Sequence, residues 1–184
     1  MIIIKKKYYL YIENIKDLNI DSLKSNKKIN IILRNIKNNE IKEIIKFRKK
    51  CKIKQFKFYI ANNLKFAKKC DADGLYISSY NKKKYFVNID KIGSAHNLKE
   101  INEKIFQGCK NIIFSRLFKT NYKNKKSFFG VVKFNLIIVN FNKKIYPLGG
   151  INYQNLLKLK MINSNGFALL SALKKKPVIA NRLF

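Results

Sequence analysis

Tryptophan is absent from this 184-residue chain, and histidine occurs once, proline twice, cysteine three times and glycine seven times. One histidine and three widely spaced cysteines, Cys51, Cys70 and Cys109, with no CxxC pair, argue against a zinc site and against a disulfide framework. Carboxylates are scarce too: there are 10, and none follows Glu103, so the last 81 residues hold no acid pair for a glycosidase-type reaction. Long apolar runs are missing. The most apolar stretch, Phe128 to Phe141, is interrupted by Lys133, Asn135 and Asn140 and falls short of the roughly 20 residues a membrane helix needs. Met1 to Ile4, followed by three lysines, is too short an apolar run for a signal peptide. These absences lead us to expect a soluble, reduced, cytoplasmic protein without membrane contact.

What is abundant is basic charge: 41 basic residues give a formal net charge of +31. With 47% hydrophobic and 13% aromatic residues the chain is too apolar for a disordered basic tail, and its length suits one domain spanning residues 1–184. Only Arg34, Arg48, Arg116 and Arg182 are arginines; a phosphate-gripping surface would use more of them, because the planar guanidinium binds phosphate bidentately. Lysine, asparagine and isoleucine enriched together are the pattern of an A+T-rich coding bias, and the lysines are spread from Lys5 to Lys176. The charge therefore reads mainly as solvated background, with non-specific attraction to polyanions and no specific nucleic-acid partner.

Short apolar runs alternate with helical spacing. Strands are expected at Tyr8 to Ile12, Ile29 to Leu33, Phe56 to Ile60, Gly74 to Ile77, Lys91 to Ala95, Asn111 to Phe114, Ile145 to Leu148 and Gly166 to Leu169. Helices are expected at Glu40 to Lys50, Leu64 to Cys70, Leu98 to Phe106, Asn152 to Met161 and, reduced, Lys174 to Phe184. Strand–helix alternation of this kind predicts parallel strands, and eight of them an α/β fold of the (β/α)8 TIM-barrel type. It is compact, with shortened helices, and no room for a helix between Ile77 and Lys91. No GxGxxG or GxxxxGK follows a strand, which argues against an open dinucleotide-binding sheet.

In such a barrel chemistry sits on the loops after the strands. His96, the only imidazole, lies just past a strand end, where a general acid or base is useful. Gly149 and Gly150 end another strand with two residues lacking side chains, either as a tight turn or as a place where backbone approaches a ligand. Gly166 to Ser171 leads from a strand toward free N–H groups suited to a phosphate.

Three segments together resemble the thiamine phosphate synthase and thiazole tautomerase family. Tyr59-Ile60-Ala61-Asn62-Asn63 with Ala72-Asp73-Gly74-Leu75-Tyr76-Ile77 resembles its strand-three Asn-Asp motif and its Ala-Asp-Gly-Val-His-Leu strand. Gly93-Ser94-Ala95-His96-Asn97-Leu98-Lys99-Glu100, leading to Phe114-Ser115-Arg116-Leu117-Phe118-Lys119-Thr120, is similar to its Ser-x-His and Phe-Gly-Pro segments. Leu148-Gly149-Gly150-Ile151 and Gly166 to Ala172 resemble its Gly-Gly-Ile and Gly-val-ala-val-x-Ser-ala.

The resemblance implies a role in thiamine biosynthesis: condensation of hydroxymethylpyrimidine pyrophosphate with thiazole phosphate, Mg2+ holding the leaving pyrophosphate. It implies that Thr120, Gly149, Gly150, Leu170 and Ser171 hold the thiazole phosphate. Arg34, Ser94 and Lys123 would face the pyrimidine pyrophosphate, lysines such as Lys37 and Lys123 would partly replace Mg2+ as countercharge, and Asn62 is a further substrate-binding candidate. His96 and Ser94 are the catalytic candidates, His96 matching the histidine associated with tautomerase activity. The partners implied are these small phosphorylated substrates, and a homo-oligomer is compatible with them. Departures concern the metal. The family's first metal aspartate falls on Asn62, or on Asn63 with a one-residue deletion, and its second on Asn81; the glutamine and lysine flanking the strand-two arginine fall on Ile32 and Ile36. Neutral amides are poor ligands for a hard cation, so the Mg2+ ligands look lost. The alternatives are a metal-free thiazole tautomerase and a non-catalytic barrel that binds a phosphate ester.

Overall fold

The computed structural model describes residues 7–36, 40–120 and 127–170. Eight strands pair in chain order, all in parallel, and the eighth returns to the first to close a barrel. They are β1 (Lys7–Ile12), β2 (Ile29–Leu33), β3 (Lys57–Ala61), β4 (Gly74–Ile77), β5 (Asp90–Ala95), β6 (Asn111–Ser115), β7 (Lys144–Leu148) and β8 (Gly166–Leu169). Around them lie α1 (Ile41–Ile53), α2 (Leu64–Lys69), α3 (Leu98–Phe106) and α4 (Gly130–Val139). The expected TIM barrel is thus observed, including the missing helix between β4 and β5, where residues 78–89 form turns and extended chain. The helix expected at Lys174 to Phe184 lies outside the described residues.

The helices form where one face has something to bury. In α1, Ile44, Phe47, Arg48 and Cys51 are buried at i, i+3, i+4 and i+7. The buried Arg48 reaches Asp73 at 3.0 Å and the Asp71 carbonyl at 2.8 Å, tying the helix to the β3–β4 connection. Asn97 caps α3 by accepting from the Glu100 N–H at 2.9 Å. The segment expected as a helix over Asn152 to Met161 is instead a 3-10 helix, Tyr153–Met161. Half-buried Leu156, buried Leu159 and the buried C-cap Ile162 recur every three residues, the period of a 3-10 helix, so the tighter winding aligns them on the core.

Outward-facing strand residues such as Ile31, Phe58, Leu75, Ile112 and Phe167 form the larger core under the helices. Inward-facing ones fill the lumen: Tyr9, Tyr11, Ile32, Tyr59, Ala61, Tyr76, Ile92, Ile113, Tyr146 and Ala168. The register stacks them in layers of four from alternate strands. From the N-terminal end these read Lys7, Lys57, Asp90, Lys144; then Asn30, Gly74, Asn111, Gly166; then Tyr9, Tyr59, Ile92, Tyr146; then Ile32, Tyr76, Ile113, Ala168. The last two, Tyr11, Ala61, Ser94, Leu148 and Arg34, Ser78, Ser115, Leu170, open onto the C-terminal face.

Glycine is required where large rings lie flat. A Cβ on Gly74 would stand 2.5 Å from the Tyr59 ring, and one on Gly166 would stand 1.9 Å from the Lys7 carbonyl oxygen. Gly166→Ala can be accommodated only by parting β1 from β8. The expected cost is that of overpacking at backbone, about 3 kcal/mol, read as a lower urea midpoint at unchanged slope.

Candidate functional site

At the C-terminal face the lumen ends in phenols. The Tyr11 hydroxyl donates to that of Tyr76 at 3.1 Å, and Ser94 hydrogen-bonds the same Tyr76 oxygen. Burial raises both phenols above their ordinary value, so they stay neutral donors and acceptors beneath the site. Above them Arg34 lies 6.0 Å from the centre of the Tyr11 ring and pairs with Glu13 at 3.1 Å.

One wall is built by the connections after β6 and β7. Gly149 and Gly150 have φ of +101° and +68°, a region that favours glycine. The Leu117 and Phe118 N–H groups donate to the Leu148 and Gly149 carbonyls, each at 3.0 Å. A Cβ on Gly150 would meet the Phe118 and Lys119 carbonyl oxygens at 2.5 and 2.4 Å. The close approach these glycines permit is therefore to the chain's own backbone, which brings Thr120 to the turn. Thr120 Oγ1 is shielded from water and has no hydrogen-bond partner among the described residues.

His96, exposed past β5, has Nδ1 2.7 Å from Ser115 Oγ, and its N–H donates to Glu100 at 2.8 Å. Ser94 is buried one layer below Ser115. Leu170 is half-buried against the lumen. Lys37, Lys123 and Ser171 lie outside the described residues.

On the opposite wall Asn62, not Asn63, faces the site: Asn63 caps α2, accepting from the Phe66 N–H at 2.9 Å. Asn62 adopts φ +57°, and its Oδ1 accepts from Ser78 N–H, Ser78 Oγ and Asn81 Nδ2, each at 3.0 Å. Its own Nδ2 donates to Tyr80 at 3.0 Å. The two positions where the family resemblance expects metal-binding carboxylates are thus a pair of amides bonded to each other. Behind them Lys104, fully buried, donates to the Asn81 carbonyl and to Gln107 Oε1, both at 2.8 Å, and Gln107 returns a bond to Asn81 at 2.9 Å. Burial lowers the Lys104 ammonium from its ordinary value. Mg2+ does not fit these residues: it prefers anionic oxygen, and the only side-chain oxygen Asn62 offers already takes three donors. Among the described residues no group of three or more His, Cys, Asp or Glu could hold a metal.

Tyr11, Tyr76, Tyr85, Lys104 and Gln107 escaped the sequence reading as site residues. Alternation along β1 and β4 is the signal for the first two. Nothing local marks the others, which reach the site from residues 78–89 and from the end of α3.

A family model described as thiamine monophosphate synthase matches residues 21–173. Two curated relatives, thiamine-phosphate synthases of Prochlorococcus marinus and of its subspecies pastoris, are each 29% identical, over 140 and 139 residues. Each match covers 72% of this chain and 40% of the relative, so the chain spans about two-fifths of the relatives' length. A solved thiamine phosphate pyrophosphorylase from Pyrococcus furiosus superposes with a TM-score of 0.76 at 20% identity, covering 97% of this chain and 92% of that one. KGPDC from Streptococcus mutans superposes at 0.65 with 7% identity, covering 97% and 94%. At these identities the structural likeness speaks for the barrel fold alone.

The amide pair makes metal affinity a matter of two residues. Asn62→Asp with Asn81→Asp places two carboxylates where one amide now bonds the other. Millimolar Mg2+ is expected to raise the melting temperature of the double variant by about 2–4 °C, as a binding energy near 1 kcal/mol would, and to leave the parent unchanged.

Proposed function

Because the chain belongs to the thiamine monophosphate synthase family, we propose that it acts in thiamine biosynthesis, joining hydroxymethylpyrimidine pyrophosphate to thiazole phosphate. In this reaction the bond between the pyrimidine methylene and pyrophosphate breaks, and the thiazole nitrogen captures the cationic carbon to give thiamine phosphate and pyrophosphate. The protein's work is positioning and charge stabilisation.

The observation that carries the reading is Thr120. A buried hydroxyl without a partner costs about 1–3 kcal/mol, and this one sits beside the glycine turn, one residue past the carbonyls that close on Gly150. A phosphate oxygen placed there would accept its proton. Gly149, Gly150, Leu170 and, by resemblance, Ser171 complete the thiazole-phosphate side. Arg34, with Lys37 and Lys123 by resemblance, supplies countercharge to the departing pyrophosphate, and Arg34 would exchange Glu13 for it. Asn62, with its Nδ2 toward Tyr80, and Ser94, bonded to Tyr76, border the pyrimidine. No step is assigned to a metal.

One observation favours a second reading, a thiazole tautomerase. His96 Nδ1 and Ser115 Oγ, 2.7 Å apart at the rim of the site, form a pair able to pass a proton.

The test is a coupled assay for thiamine phosphate with both substrates, with and without Mg2+, alongside a tautomerisation assay. The synthase reading expects product without added metal. It also expects at least a tenfold loss in Gly150→Ala, whose Cβ collides with the Phe118–Lys119 backbone, and a smaller rise in KM for Thr120→Val. No product at high enzyme concentration under either condition rejects it. Tautomerisation abolished by His96→Ala in place of condensation supports the second reading.

A further inference from the structure

We propose that the N-terminal mouth of the barrel, the end opposite the candidate reaction face, is a second ligand site, built for a phosphate monoester with an apolar body. This proposal does not depend on the reading of the reaction face.

Two observations meet there. The first is the lowest layer of the lumen. Lys7, Lys57 and Lys144 from β1, β3 and β7 share it with Asp90 from β5, three ammonium groups with one carboxylate. Asp90 is engaged by the Tyr59 hydroxyl at 2.8 Å, and among the described residues none of the three lysines forms an ion pair with a carboxylate. Burial, then the charges of Lys57 and Lys144, lower the Lys7 ammonium, which places the three close enough to repel one another. An anion among them would relieve that repulsion.

The second is a cavity of about 320 Å3 beside this layer, between the end of α4 and the entries to β7 and β8. Its lining is mixed: Ile138, Val139, Phe141 and Ile145 are apolar, and Lys143, Lys144 and Asn165 are basic or polar. The Asn165 carbonyl accepts from the Lys7 N–H at 3.1 Å, which links the cavity to the lysine layer. The volume is at the lower end of small-molecule sites, and the mixed lining suits a ligand with an apolar end and an anionic end.

A buried aromatic pair backs the cavity. Tyr146 lines the cavity, and Tyr9, completely buried, meets its ring edge-on with centroids 4.8 Å apart. Other polar groups of this end are engaged: Asn30 donates to the Tyr8 and Lys28 carbonyls, and Ser164 to that of Ile145.

Phenyl phosphate is the probe, titrated into the full chain at physiological ionic strength and followed by amide NMR. The proposal expects shifts at Lys144, Tyr146 and Asn165. It expects inorganic phosphate, which lacks the body, and phenol, which lacks the head, to bind at least tenfold more weakly. Lys57→Gln with Lys144→Gln, two exposed side chains whose removal spares the core, is expected to weaken phenyl phosphate about tenfold, and Gly150→Ala to leave this site's shifts in place. Shifts confined to the C-terminal face, equal binding of inorganic phosphate, or unchanged affinity in the lysine variant would each overturn it.

Discussion

A closed barrel of eight short strands must fill its own lumen, and this chain does so with tyrosine. Five phenols, Tyr9, Tyr11, Tyr59, Tyr76 and Tyr146, occupy inward positions that branched aliphatic residues usually take. Each ring needs room, which Gly74 and Gly166 provide by presenting bare backbone. Each hydroxyl needs a partner, which the dry middle of the barrel does not hold. The phenols therefore send their polar ends toward the two mouths. Tyr11 and Tyr76 reach the C-terminal face, where Ser94 and Arg34 stand, while Tyr59 and Tyr146 reach back to Asp90 and Asn111 at the N-terminal end.

This division makes both ends of the barrel chemically competent, where a lumen filled by valine and leucine would leave the lower end inert. The candidate face also forms without a helix between β4 and β5. The 78–89 segment has no helix to fix it, and the buried Lys104 and Gln107 grip its carbonyls instead, with Lys91 holding that of Tyr85 at 2.6 Å. A buried ammonium donating to carbonyl oxygens retains part of the solvation it lost in leaving water.

The barrel was legible in the sequence because its signals are local: alternating apolar runs, glycine at strand ends and the shortage of residues between Ile77 and Lys91. The 3-10 winding at Tyr153–Met161 was less so, since three-residue and 3.6-residue spacing differ little over nine positions. At the candidate site, the order of elements puts His96 and Gly150 at strand ends, while Arg34 and the Asn62 or Asn63 alternative came from the family resemblance. The residues that support them were not legible. Lys104 is one lysine among many by composition, and only its burial against Gly93 and Asn81 separates it from the solvated ones. The scatter of lysines from Lys5 to Lys176 had the same effect, because residues as distant as Lys7 and Lys144 become neighbours only once the strands close into a ring.

The two asparagines are best understood as a matched pair rather than as two separate losses. Carboxylates at positions 62 and 81 would face each other as like charges, and only a cation between them would let both stay ionised. Two amides need no mediator, since the Asn81 Nδ2 donates where the Asn62 Oδ1 accepts. A single return to aspartate at 62 would keep that bond and gain charge; a single return at 81 would remove the donor and leave Asn62 with a carboxylate opposite its oxygen. The amide at 81 is therefore what joins the loops after β3 and β4 without metal, and the amide at 62 removes the remaining charge. The positive charge that remains nearby, Lys104 behind Asn81, is fixed in the protein, already solvated by carbonyls, and cannot be removed by a chelator.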